Sequence, residues 1–91
     1  MADFTVRVEL VGSPGVEVYQ NLHAKMQTLG FLTTVNNAGT TYKLPHATYY
    51  GSSILTGVEL SSKVADLVAT QVWTKPLVFV SETTNWGLSW R

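Results

Sequence analysis

The sequence predicts an α+β protein of the ferredoxin-like type: a βαββαβ order, two helices on one face of an antiparallel sheet, and an extra C-terminal strand. Three observations predict it. An alternating apolar run opens the chain, two amphipathic segments with cap signals follow, and a hairpin pattern lies between them. The 91 residues form one domain, residues 1–91, with neither a linker nor a low-complexity stretch.

Each element has its own signal. Phe4, Val6, Val8 and Leu10 alternate with Thr5, Arg7 and Glu9, the period of a strand with one face on a core. Ser13-Pro14 reads as an N-cap followed by proline at the first helical position. Val18, Tyr19, Leu22, Met26 and Leu29 follow at helical spacing, and Gly30 supplies a left-handed C-terminal stop. Phe31–Val35 and Thr40–Leu44 flank Asn36-Asn37-Ala38-Gly39 as the arms of a hairpin. Pro45 breaks the second arm, residues 46–50 extend it past a bulge, and Gly51-Ser52-Ser53 reads as a loop. Thr56 with Glu59 three residues on makes a capping box, and Leu60, Val64, Leu67, Val68 and Val72 form the stripe of a second helix that Lys75-Pro76 ends.

Leu77-Val78-Phe79-Val80 is apolar on both faces, and Trp86, Leu88 and Trp90 alternate with Gly87, Ser89 and Arg91. In the ferredoxin order this strand is an edge, and an apolar edge invites cover. The tail is therefore expected as a fifth strand that folds back on its own sheet or adds to a partner's edge. The second is favoured, giving a homodimer with Val78, Val80, Trp86, Leu88 and Trp90 at its interface.

Composition removes several functions. Six basic and six acidic residues cancel, and the six cations are scattered, which argues against duplex DNA as a ligand. Without cysteine there is no disulfide, thiolate metal site or cysteine nucleophile. Two histidines and two aspartates argue against a metal site, and no motif implies a cofactor. No apolar run reaches the ~20 residues of a membrane span, and no signal pattern opens the chain, so a cytoplasmic protein with no membrane partner is expected.

Metal-free RNA cleavage needs a proton acceptor for the 2′-hydroxyl, a donor for the leaving oxygen and a cation for the phosphate. His46 and His23 are the only side chains that ordinarily titrate near neutrality, so they are the candidate acid and base. Arg7 and Lys43 are the nearest cations by strand position. Tyr49, Tyr50 and Ser52 are candidate RNA or nucleotide contacts, because aromatic rings on a sheet stack bases. Adjacent tyrosines on an extended chain point opposite ways, so at least one is expected at the surface. The commoner uses compete: His23 borders the first helical stripe, and aromatic rings most often fill cores and seams.

With this order, Phe4-Thr5-Val6-Arg7-Val8-Glu9-Leu10, Gly30-Phe31, Tyr42-Lys43-Leu44-Pro45 with Tyr49, and Leu77-Val78-Phe79-Val80-Ser81-Glu82 make the chain resemble a bacterial and phage family. That family is related to GhoS, the endoribonuclease antitoxin of type V toxin–antitoxin systems. Its fold is similar to that of the CRISPR-associated Cas2 proteins. The resemblance implies a metal-independent protein that binds or cleaves single-stranded RNA, dimeric through its terminal strands. Val11-Gly12-Ser13 stands where Cas2 proteins carry an aspartate at the end of the first strand. A non-catalytic alternative stays open: a phage-type binding protein that oligomerises and sequesters a nucleotide signal or blocks a host defence protein.

Overall fold

A computed structural model describes residues 1–89 of the chain. Its elements are β1 (Ala2–Leu10), α1 (Val16–Thr28), β2 (Thr34–Asn37), β3 (Thr40–Lys43), β4 (Thr48–Ser53), α2 (Gly57–Gln71) and β5 (Pro76–Glu82). β1 lies in the middle of an antiparallel sheet of order β4-β1-β5, while β2 and β3 pair only with each other as a ladder. One bridge, Leu32 to Tyr50, ties the approach to β2 onto the free edge of β4. Counted through that bridge, the order is that of a ferredoxin-like α+β sandwich with the β2–β3 hairpin peeled off its edge.

The core lies between the helices and one sheet face. Phe4, Val6, Val8 and Leu10 of β1, Tyr49 of β4, Leu22 and Met26 of α1 and Leu60, Val64 and Val68 of α2 are buried together with Phe31. The strict alternation of β1 puts Arg7 and Glu9 on the opposite, open face.

Helix ends follow local chemistry. Thr56 caps α2 by accepting from the Glu59 N–H at 3.2 Å, while the Glu59 carboxylate accepts from the Thr56 N–H at 2.9 Å. Those bonds to Thr56 hold the Glu59 carboxyl below its usual value. Gly30, at φ +84°, closes α1, with the Phe31 N–H on the Met26 carbonyl and the Gly30 N–H on that of Gln27. The start of α1 departs from expectation. Gly12 and Ser13 both take positive φ, so the chain is still turning there, and the helix begins one residue after an extended Gly15.

The third sheet strand also departs. The hairpin turns on Ala38 and Gly39, both at positive φ, and its second arm ends at Lys43 without reaching the main sheet. Pro45 to Thr48 is a tight turn, with the Thr48 N–H on the Pro45 carbonyl at 3.1 Å and Ala47 at φ +54°. The strand beside β1 is residues 48–53, so Gly51-Ser52-Ser53 is ladder and not loop. Gly51 sits there because a Cβ would strike the Gly30 carbonyl and come within 3.0 Å of the Phe31 ring.

The tail forms no strand among the described residues after β5. Leu88 and Ser89 instead share a cleft with residues 43–46 of the same chain. Trp90 and Arg91, the end of the expected strand, lie outside the described residues. No helix of the described residues is long and apolar enough to cross a membrane.

Candidate functional site

Four of the expected site residues gather at one end of the sandwich, around the turn that carries His46. Arg7 projects there from the open face of β1, Lys43 ends β3, and His23 lies on the flank of α1. His23, Lys43 and His46 line one small cleft of about 150 Å³. On its other side His46 joins Arg7, Glu9, Tyr19, Leu77 and Phe79 around a larger, open cleft of about 410 Å³. His46 therefore stands on the ridge between the two.

Both imidazoles are held by tyrosines. His46 packs on Tyr19 with ring centroids 4.5 Å apart and planes inclined by 59°. His23 Nδ1 lies 2.6 Å from the Tyr49 hydroxyl. Tyr49 is fully buried, and burial, with Tyr19 adding to it, pushes its phenol far above the usual range, so it keeps its proton. The hydroxyl has no other partner among the described residues, so it donates to His23 Nδ1. The neutral imidazole then carries its own proton on Nε2.

Burial lowers the pKa of His23 from its ordinary 6.5, and the nearby His46 and Lys43 lower it further. A neutral His23 with Nδ1 occupied has no free lone pair to act as a base at neutral pH. It offers the cleft a donor, Nε2–H.

The remaining expected residues lie elsewhere. Tyr49 is interior, which overturns its expected place as a stacking contact; Tyr50 is the outward member of the pair. The Tyr50 hydroxyl donates to Asp3 Oδ2 at 3.2 Å, and Ser52 donates to Asp3 Oδ1 at 2.5 Å. Burial and this bond raise the Tyr50 phenol. Asp3 is four residues along β1 from Arg7, about 14 Å at strand rise, so Tyr50 and Ser52 form a separate polar cluster.

Val78 and Val80 turn inward and pack against the core, whereas Leu77 and Phe79 are 64% and 67% exposed. Trp86 is 37% exposed, and Leu88 lies beside Pro45 and His46.

Sequence reasoning missed Tyr19 and Phe79 as site residues. Tyr19 is indistinguishable from the α1 stripe by spacing alone. For Phe79 a signal exists: β5 is apolar at both parities, and Phe79 shares the parity of Leu77 and not that of the valines. Among the described residues no group of three or more His, Cys, Asp or Glu side chains is placed to hold a metal.

No known protein-family model matches this chain, and no curated protein matches it.

Proposed function

We propose that the protein binds single-stranded RNA across the His46 turn and cleaves it without a metal, as its resemblance to the GhoS-like antitoxins implies. The observation that carries this reading is the convergence of His23, Lys43 and His46 on one cleft, with Arg7 across the ridge. Two imidazoles and two cations are what a metal-free phosphodiester cleavage uses.

In this assignment the RNA 2′-oxygen attacks the adjacent phosphorus, and His46 takes the 2′-hydroxyl proton. The bond from phosphorus to the 5′-oxygen breaks. The Nε2–H of His23 hydrogen-bonds that leaving oxygen, which takes its proton from water, and Lys43 and Arg7 face the charge on the phosphate. The products are a 2′,3′-cyclic phosphate and a 5′-hydroxyl end.

The test is incubation of a labelled single-stranded RNA with the protein in excess chelator. Wild type gives cyclic-phosphate fragments, and His46→Ala loses at least about 100-fold in rate, the lower end of what a proton-transfer group supplies. Full activity in His46→Ala sinks the assignment.

A further inference from the structure

The larger cleft holds groups that the cleavage chemistry leaves unused. Phe79, two-thirds exposed, is the cross-strand neighbour of Arg7, and Glu9 is the cross-strand neighbour of Leu77. All four lie on the open sheet face and line the same cleft of about 410 Å³, which His46 and Tyr19 also line. A flat ring with no cover, a guanidinium beside it and a carboxylate one row further make an unusual set for an otherwise sparsely charged chain.

We propose that this cleft is a base-recognition subsite for guanine, which seats one guanine nucleotide of a single-stranded RNA next to His46. The proposal rests on the RNA reading above and adds the identity of the base. The ring of Phe79 stacks the base, with Leu77 extending the apolar floor. Arg7 pairs with the nucleotide's phosphate.

Glu9 supplies the discrimination. A carboxylate presents two acceptors side by side and no donor. On its Watson–Crick edge guanine presents two adjacent donors, N1–H and the N2 amino group, and so satisfies both oxygens. Adenine and cytosine each set a ring-nitrogen acceptor beside their single amino group. Uracil flanks its one N–H with two carbonyls. Each of those three would leave a carboxylate oxygen against an acceptor, so guanine is the base that fits.

A second copy of the chain could also cover Phe79 and Leu77, but it would have to shut Arg7 and Glu9 away from water, which costs both charges their solvation. A nucleotide meets all four groups.

The experiment measures, in chelator, the anisotropy of labelled RNA hexamers that carry one G, A, C or U in an otherwise uridine sequence. It adds calorimetry with guanosine 5′-monophosphate alone and gel filtration of every variant. Glu9 and Phe79 are exposed, so Glu9→Gln and Phe79→Ala should fold as wild type does.

The expected result is about a tenfold or greater preference for the G-containing hexamer, the scale of one bidentate base contact. Glu9→Gln should level the four hexamers, and Phe79→Ala should weaken all of them about fivefold or more.

Equal affinity for the four hexamers overturns the subsite. So does a preference that survives Glu9→Gln, or a Phe79→Ala variant that binds RNA normally and changes only its oligomeric state. RNA cut without regard to guanine removes this inference and leaves the cleavage reading standing. A guanine preference, or bound guanosine monophosphate, with RNA uncut supports the subsite and removes the cleavage reading in favour of a non-catalytic nucleotide binder.

Discussion

The imidazole of His46 lies against the ring of Tyr19, centroids 4.5 Å apart, although the two are carried by a turn and by the first helix. The contact fixes a side chain whose own backbone is a four-residue turn with little else to orient it. Tyr19→Phe keeps the ring and should keep RNA cleavage within about twofold. Tyr19→Ala frees the imidazole and should lower the rate about tenfold or more, because a misplaced catalytic group loses its pre-set orientation. Single-turnover rates at saturating RNA would show it, and equal rates for the two variants would rule out a positioning role for Tyr19.

His23 and Tyr49 make a separate prediction, about stability. His23→Ala leaves the buried Tyr49 hydroxyl without its acceptor, at a cost of about 1–3 kcal/mol. Adding Tyr49→Phe removes the stranded group and should recover part of that loss in urea unfolding. A double variant no more stable than His23→Ala would mean the hydroxyl had found another partner.

The same pair sets a pH dependence. The folded pKa of His23 lies below its unfolded value of 6.5, chiefly through burial. As the pH falls the unfolded chain takes up this proton first. The His23 contribution is therefore complete above about pH 6.5 and is lost as the pH falls below it. Urea midpoints at pH 7.5 and 5.5 should fall more steeply for wild type than for His23→Gln. Parallel lines would contradict the assigned shift.

Gly51 gives the sharpest structural prediction. Its inner face meets the Gly30 carbonyl and the Phe31 ring, so the methyl of Gly51→Ala has to displace backbone or an aromatic core residue. Overpacking of this kind costs about 1–3 kcal/mol. For a domain near this size each kcal/mol lowers the melting temperature by about 4–8 °C. A variant that melts with wild type would mean that the packing of β4 against Gly30 and Phe31 yields easily.

These cases show what was legible in the sequence. Signals within one turn of chain carried through: the Thr56–Glu59 box, the stop at Gly30 and the two-residue period of β1 depend on neighbours alone. Signals that depend on distant packing did not. Gly51 and its serines look like a loop because the reason for the glycine is Phe31, twenty residues earlier in the chain. Ser13-Pro14 has the composition of a helix start, but the turn through Gly12 and Ser13 delays it. The candidate site was half legible. Scarcity singled out the two histidines, and strand position singled out Arg7 and Lys43, whereas Tyr19 and Phe79 acquire their places only when α1 and β5 meet the turn.

The peeled hairpin has a consequence for how Lys43 reaches its cleft. An isolated two-stranded ladder is marginal in water. Here every residue of β3 is exposed, Val35 is the one buried side chain of the pair, and the anchor to the sheet is the Leu32–Tyr50 bridge. The hairpin should therefore open as its own cooperative unit while the sandwich stays folded. Hydrogen exchange would show it: amides at 36–41 should exchange far faster than those of Val6 and Val64, and uniform protection would refute it. Lys43 is then present at the cleft only in the closed fraction of molecules, and affinity for an anionic ligand is scaled by that fraction. A ligand that engages Lys43 has to draw the hairpin shut, so the fold leaves one of its cations to be recruited by whatever binds.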